Sequence, residues 1–435
     1  MSMADHQRFN IKSLSDLRKM SDHLNLDIPI SEDIDVLFEP INIGDKTVPN
    51  RLIVQPMEGF DSETNGAPGE LTFRRYDRYA KGGSGMIWFE ATCVMPDGRS
   101  NPHQLMLTRK TLDGFKRLVD EIRGAASKAS GDSNIPYLVL QLTHSGRYSK
   151  PEGKPTGRCF TRHKYLDPNN TCSTLITDDE IEGIRDKYFE AMLLAEEAGF
   201  DAVDLKVSHG YLLHEIMMSY ERDDSRFGGS FDNRLSLMKQ LVAFPGKICK
   251  SIRLNASDLI PYPYGFGMKT DGSMETDLSE PKLLIRELEK NVPLWNITAG
   301  IPYYNPYINR PYDKGLKGSA IPPEHPLEGV SRLINLAGEI QQEFPHLPIV
   351  GAGYSWLRQF YPYVGAGVLK SGKASFIGVG RSAFAYPDAT KDLINNGFLN
   401  PKKVCVTCSQ CTQFMRNNVP SGCAIRDKEL YKINK

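Results

Sequence analysis

The sequence carries no excess of charge: 53 Lys and Arg are matched by 53 Asp and Glu in 435 residues, a formal net charge of zero. A protein that grips nucleic acid or an acidic membrane surface through bulk charge shows a basic surplus, so both classes are set aside. No run of about 18 apolar residues occurs, and no transmembrane helix is expected. The first residues, MSMADHQRFN, are polar and lack the apolar segment of a secretory leader, so the cytoplasm is the expected compartment. No G-x-G-x-x-G opens a strand–helix unit, which argues against a Rossmann dinucleotide domain. Cysteine is too sparse for a disulfide scaffold, at eight in the chain. What remains is a soluble globular composition, 40% hydrophobic and 24% charged, with length enough for one large α/β domain.

Within that composition an alternation is legible. Residues 11–25 space Ile11, Leu14, Leu17 and Met20 as an amphipathic lead-in helix. Strand-like apolar runs follow at 52–56, 86–91, 137–142, 201–205, 251–255, 294–299, 348–353 and 375–380. Helical patterns lie between most of them, clearest at 111–129, 178–199, 232–250, 326–344 and 381–396. Short apolar strands alternating with helices are what a parallel sheet requires, because each crossover must return over a sheet face. Eight such units predict a closed (β/α)8 TIM barrel, with a doubly wound open sheet as the alternative. The Gly/Pro-rich stretch 256–293 and the stretch 300–325 are expected to be long loops after strands five and six, on the face where barrels build active sites.

Several residues near the expected strand ends carry chemistry. Gly351 and Gly353 follow the seventh strand, and Gly378, Gly380 and Arg381 follow the eighth, where backbone N–H groups and a helix start suit an anion. Tight turns alone would also explain those glycines. Lys206, His209 and Tyr211 follow the fourth strand; a cation, an imidazole and a phenol together bind a carbonyl oxygen and deliver a proton. Taken singly, His209 reads as a turn cap and Tyr211 as packing, and His214 is assigned to packing. Arg253 on the fifth strand needs an anionic partner or an electron-rich ring, and Gln141 ends the third strand with an amide that donates and accepts. Tyr303, Tyr304 and Tyr307, after the sixth strand, hint at a flat or apolar ligand. Cys405, Cys408, Cys411 and Cys423 form a C-x2-C-x2-C-x11-C pattern, whereas Cys93, Cys159, Cys172 and Cys249 are scattered. Four clustered thiols suit an iron–sulfur cluster, with tetrahedral zinc or free thiols as alternatives.

The sequence resembles the old yellow enzyme family of NADH:flavin oxidoreductases, in the branch with 2,4-dienoyl-CoA reductase and trimethylamine dehydrogenase. The resemblance runs from about Leu37 to Cys423 on NRLIVQPM (50–57), QLTHSGR (141–147), AGFDAVDLKVSHGYLLHEIM (198–217), FGGSFDNR (227–234), IRL (252–254), GAG (351–353) and VGRSAFAYPD (379–388). It implies an N-terminal extension over 1–36, an FMN-binding barrel over 37–400 and a cysteine-rich segment over 401–435. It further implies FMN across the carboxyl mouth, with Pro56, Met57, Glu58, Ala91, Gln141 and Arg253 around the ring and Gly353, Gly380 and Arg381 at the phosphate. The implied reaction is an ene-reduction: NAD(P)H reduces the flavin, hydride passes to an activated C=C bond of a small unsaturated substrate, and Tyr211 gives the proton. His209 matches one member of the family's usual pair that polarises the carbonyl. The cysteines match those that hold a [4Fe–4S] cluster in that branch.

Three departures stand out. Lys206 replaces the family's first histidine. Glu58 replaces a small or hydroxyl residue, and a carboxylate there is expected either to disfavour reduced anionic flavin or, where it meets Lys206 across the mouth, to form an ion pair with it. The sequence stops twelve residues beyond Cys423, where relatives continue into further domains, which brings in a separate ferredoxin or flavoprotein as electron donor. A dehydrogenase or demethylase passing electrons out through the cluster is the alternative activity, and a homo-oligomer is a possible assembly.

Overall fold

Eight short strands carry the molecule: β1 (Leu52–Val54), β2 (Met86–Trp88), β3 (Tyr137–Thr143), β4 (Ala202–Val207), β5 (Cys249–Asn255), β6 (Leu294–Thr298), β7 (Ile349–Gly351) and β8 (Phe376–Val379). Each pairs in parallel with the next, and β8 returns to β1, so the sheet closes into the expected barrel. The computed structural model describes residues 9–167, 171–313 and 321–432.

The period-two alternation of the strands decides what fills the barrel. On β3, Leu138, Leu140 and Leu142 join the core under the surrounding helices, while Tyr137 and Val139 join a separate cluster with Ile53, Trp88, Val350 and Phe376. That second cluster also contains Ile43 and Val48, from the antiparallel hairpin Ile41–Ile43 and Lys46–Val48, which thus plugs the amino-terminal end of the barrel. One layer higher the same alternation delivers polar residues. Asp204 accepts from Trp88 Nε1 at 2.8 Å, Gln141 Nε2 at 2.6 Å and the Arg253 backbone N–H at 2.6 Å. Gln55 and Asn296 exchange amide hydrogen bonds at 3.1 and 2.8 Å.

The helices are α1 (Leu14–His23), α2 (Glu70–Lys81), α3 (Leu112–Ser130), α4 (Asp178–Glu197), α5 (Leu212–Met217), α6 (Phe231–Ala243) and α7 (Ser279–Leu288). They continue with α8 (Pro306–Asn309), α9 (Pro326–Glu343), α10 (Tyr361–Lys370), α11 (Arg381–Ala385), α12 (Ala389–Asn396) and α13 (Gln410–Arg416). Reciprocal capping boxes start α1 at Ser13 with Asp16, and α4 at Thr177 with Glu180, satisfying orphan N–H groups.

Four helix expectations change. The helix expected over 232–250 stops at Ala243, ahead of Pro245, and β5 begins at Cys249. The helix expected over 381–396 is broken at Pro387 into α11 and α12, so the turn after β8 opens a helix of only five residues. The segment 256–293 is not all loop, since α7 supplies the crossover there. Crossovers α2 and α10, which the pattern did not single out, fill the first and seventh units. In the stretch 300–325, α8 forms a short turn, and residues 314–320 lie outside the described ones. Cys159 and Cys172, read as scattered, are joined by a disulfide in the loop after β3.

Candidate active site

The carboxyl ends of all eight strands open on one cavity of about 500 Å³, a size that holds a cofactor-sized ligand. All twelve residues assigned above to substrate or flavin line it: Pro56, Met57, Glu58, Ala91, Gln141, Lys206, His209, Tyr211, Arg253, Gly353, Gly380 and Arg381. The wall also contains Asn309 and Arg310 from the loop after β6, and Thr412, Met415, Arg416 and Asn418 from α13 and its exit. The sequence reading missed these last six.

One wall is formed by the chain leaving β4. Lys206 is the last inward residue of the strand and is 5% exposed. His209 takes a left-handed backbone, φ 64°, followed by Gly210 at φ 74°, and this sharp turn delivers Tyr211 to the N-cap of α5. His214 holds the turn: its Nδ1 accepts from the Gly210 N–H at 2.9 Å and its Nε2 lies 3.2 Å from Asp258 Oδ1. His214 is therefore a positioning residue as well as core. His209 Nε2 faces the Asn309 amide nitrogen at 2.8 Å, and the same amide donates to Thr298 Oγ1 at 3.2 Å. Burial, then the cations Arg253 and Lys206, hold His209 well below the ordinary imidazole range, so the ring is neutral.

The expected ion pair between Glu58 and Lys206 does not form among the described residues. Glu58 instead accepts from the Tyr211 hydroxyl, 3.2 and 3.4 Å from its two oxygens, from Ser100 Oγ at 3.3 Å and from Gln104 Nε2 at 3.3 Å. The Lys206 ammonium sits 3.4 Å from the Tyr211 ring centroid, a cation–π contact. Burial pulls that ammonium down to about 8, with Glu58 opposing and Arg253 reinforcing the shift. Burial and the Glu58 charge push the Tyr211 phenol well above its usual range. Tyr148 stacks on Tyr303 at 3.8 Å and lies 6.1 Å from Tyr211, giving this side of the cavity a flat aromatic face.

The floor and opposite wall meet the demands of FMN in two observable ways. Buried donors stand without acceptors: Arg253 Nε, Arg310 Nε and Arg381 Nη1. Backbone comes close at two glycines; a Cβ at Gly378 would lie 2.2 Å from Gln55 Nε2, and one at Gly380 would lie 3.0 Å from Met57 Sδ. Arg253 Nη1 donates to Gln55 Oε1 at 2.8 Å, and Arg381 Nη2 to the Pro311 carbonyl at 2.8 Å. Burial, and next the neighbouring Arg381, pull Arg310 down to about 10. A phosphate between these guanidiniums relieves both effects.

The four clustered cysteines line a second, smaller cavity that adjoins the first, with Arg381 bordering both. None of the four is in a disulfide. Among the described residues no three of their sulfurs lie within 4.8 Å of one another, a wider spread than sulfurs that each sit about 2.3 Å from one zinc ion. The sulfurs of Cys405 and Cys423 accept backbone N–H groups from Thr407 at 3.3 Å and Arg426 at 3.4 Å, the pattern that tunes cluster thiolates. Burial pushes the Cys405 thiol up to about 12 and raises Cys411 and Cys423; bound metal is what offsets that cost by holding the thiolates. Four sulfurs around one small cavity are a donor set that can hold a metal centre.

Among known proteins, the chain is 26% identical over 385 residues to an NADH oxidase of Thermoanaerobacter brockii, covering 86% of this chain and 52% of the relative. It is 31% identical over 210 residues to an NADPH dehydrogenase of Clostridium acetobutylicum, covering 47% of this chain and 58% of the relative. The chain thus spans little more than half the length of these two curated relatives. The fold is shared with 2-naphthoyl-CoA reductase in its 2-naphthoyl-CoA complex, at a TM-score of 0.69, 20% identity, and coverage of 90% of this chain and 57% of that one. It is also shared with the old yellow enzyme homologue from Zymomonas mobilis, at a TM-score of 0.60, 20% identity, and coverage of 84% and 94%. A further neighbour is histamine dehydrogenase from Rhizobium sp. 4-9, at a TM-score of 0.68, 19% identity, and coverage of 91% and 53%. The family model for the NADH:flavin oxidoreductase / NADH oxidase family matches residues 36–260. With that match over the barrel's first half, the chain belongs to this family of FMN-dependent oxidoreductases, the old yellow enzyme family.

Proposed function

We propose that the protein is an FMN-dependent ene-reductase that saturates an electron-poor C=C bond at the expense of NAD(P)H. The observation that carries this reading is the placement of Tyr211, His209 and Lys206 on one wall of a cavity whose floor presents unpaired donors to a flavin. Gln55, Gln141 and Arg253 would hold the ring, and Gly353, Gly380 and Arg381 the phosphate. When bound, FMN takes up a hydride in one half-reaction and returns it in the other.

The remaining work falls to this chain's own groups. The Lys206 ammonium has no acceptor among the described residues, so its donors are free to meet the substrate oxygen on which charge develops. The neutral His209 ring and Asn309 brace each other beside it. Tyr211 offers its hydroxyl proton to the α-carbon, the Lys206 cation over its ring easing the charge that forms. Glu58, whose carboxylate accepts from that hydroxyl at 3.2 Å, orients the phenol, and the proton that Tyr211 gives up is restored from solvent. Tyr211→Phe is expected to slow alkene reduction about 10²-fold or more, while flavin reduction by NAD(P)H keeps its rate in stopped-flow. Unchanged alkene turnover would remove Tyr211 as the donor.

The four cysteines we assign to a [4Fe–4S] cluster, and the soluble protein to a cytoplasmic setting. Because Arg381 borders both cavities, a second activity is favoured, a dehydrogenase that passes electrons outward. Anaerobic bleaching of the flavin by an amine or alcohol without any NAD(P)H would select it over the ene-reductase. If electrons enter through the cluster instead, a ferredoxin or flavoprotein is the donor, and reduction by a low-potential ferredoxin without NAD(P)H would show it.

A further inference from the structure

Asp204 is out of keeping with its surroundings: a carboxylate fully buried in the barrel, on β4 beneath the cavity. Burying a charge is costly unless neighbours compensate it, and here three do. Trp88 Nε1 at 2.8 Å and Gln141 Nε2 at 2.6 Å donate to one oxygen, and the Arg253 backbone N–H donates to the other at 2.6 Å. The indole and the backbone N–H can only donate, so the site is built for an acceptor on both oxygens. An apolar side chain of similar volume avoids the cost of burial altogether, and packing does not account for the carboxylate.

What Asp204 does is visible in the two residues that it shares with the cavity wall. An ionised carboxylate only accepts, so it decides which way the Gln141 amide points. The amide nitrogen turns to Asp204, and Oε1, with no hydrogen bond among the described residues, is the atom left for the cavity that Gln141 lines. Arg253 is the second. Burial pulls its guanidinium down to about 10, and the Asp204 charge opposes that pull. Its Nη1 is taken by Gln55, and its Nε has no acceptor. The floor thus offers one acceptor and one cation, the cation partly neutralised from beneath. An oxidised flavin has a single ring N–H, at N3 beside the C2 carbonyl, and a reduced one spreads its negative charge over N1 and that carbonyl. Acceptor and cation match this edge.

Resting on the flavin placement proposed above, we propose that Asp204 is a positioning residue that sets the flavin's reduction potential. It holds Gln141 with its oxygen toward the ring, and its charge offsets Arg253, so that reduced FMN is stabilised less than the guanidinium alone would stabilise it. Charge is weakly screened in a low-dielectric interior, and a carboxylate one layer down still weighs on the ring. The device serves the second half-reaction, in which a lower potential favours hydride leaving the flavin.

The test is the two-electron midpoint potential of bound FMN, read by reductive titration against a reference dye, together with the N3 resonance of bound 15N-labelled FMN. Asp204→Asn, close in shape, is expected to raise the potential by about 30 mV or more, equal to a tenfold gain in binding of reduced over oxidised FMN. It is also expected to weaken the hydrogen bond at N3, because the Gln141 amide is freed to turn. Phe376→Ala, in the apolar layer below, reports loosened packing alone and is expected to lower the urea midpoint with the potential unchanged. A potential that stays or falls in Asp204→Asn, or that rises as far in Phe376→Ala, overturns the proposal. Should Asp204→Asn yield no folded protein, the N3 resonance decides. A hydrogen-bonded position that is lost in Gln141→Leu supports the proposal, and a position that Gln141→Leu leaves unmoved overturns it. The flavin placement beneath is tested separately. FMN that binds Gln141→Leu and Arg253→Met with unchanged affinity and potential lies elsewhere, which sinks that placement. Effects at those two residues without one at Asp204 keep the placement and sink this inference.

Discussion

Lys206 shows at the scale of one residue how the site is maintained against folding. Its ammonium is buried at the end of β4, and its folded value near 8 lies below the ordinary lysine value of 10.5. The folded protein therefore releases this proton more readily than the unfolded chain does. Between about pH 8 and 10.5 the unfolded state binds more protons at this position, so the contribution of Lys206 to stability rises with pH across that window. Below pH 8 the residue is charged in both states and the full penalty is present, at most about 3 kcal/mol for a shift of that size. The groups that set it are close by: Glu58 raises the value, Arg253 lowers it and Asp204 raises it. Lys206→Met is accordingly expected to raise the melting temperature of the flavin-free protein at pH 7, with the gain shrinking as pH rises from about 8 to 10.5. A variant no more stable than wild type at pH 7 would show that the ammonium reaches water and is not held at a cost.

At the scale of elements, α13 joins two sites. Cys411 lies within it, while Thr412, Met415 and Arg416 from the same short helix line the main cavity. Arg310 donates to Thr412 Oγ1, tying the loop after β6 to this segment. Beyond the helix, the Ser421 N–H donates to the Gly59 carbonyl at 2.7 Å, and Asp427 pairs with Arg74 at 2.7 Å and with Arg78 at 2.7 Å. Loss of the cluster proposed at the cysteines should therefore be felt across the cavity wall. Cys408→Ser and Cys411→Ser are expected to lose bound iron and to weaken FMN binding about tenfold, near 1.4 kcal/mol, by flavin fluorescence titration. Iron-free variants that bind FMN as wild type does would show the two sites to be energetically separate. This arrangement was only half legible in the sequence. Short apolar runs announced every barrel strand, and residues at strand ends, such as Lys206, Arg253 and Arg381, were singled out because the barrel's geometry assigns strand ends to the mouth. Asn309, Arg310 and Arg416 sit where no periodicity operates, and nothing in their local sequence says which wall they reach. The helix α10 escaped for a different reason: YPYVGAGVLK is buried on nearly every face, so it carries no polar stripe to mark a helix.

Across the whole molecule the barrel interior is layered, and each layer has its own task. The lowest is apolar, with Phe376 on β8 fully buried against Val350 on β7 and the plugging hairpin. Above it lies the network of Gln55, Gln141, Asp204, Arg253 and Asn296, in which burial raises the Asp204 carboxyl to about 6. The cavity stands on that network. Stability is thus concentrated at one end of the strands and chemistry at the other, the division that barrels make generally. Phe376→Ala removes a ring from the lowest layer and leaves a cavity that close-packed neighbours fill only in part, a loss of roughly 3 to 5 kcal/mol. Because the polar layer lies between, that loss should lower the urea midpoint while the FMN affinity of the remaining folded protein stays within about twofold of wild type. Gln55→Leu should do the reverse in kind. It deprives Arg253 and Asn296 of their acceptor at 2.8 Å each, so its effect on FMN binding should exceed its effect on the midpoint. If Phe376→Ala costs as much FMN affinity as Gln55→Leu, the layers are coupled and the polar network transmits packing strain from the plug to the flavin.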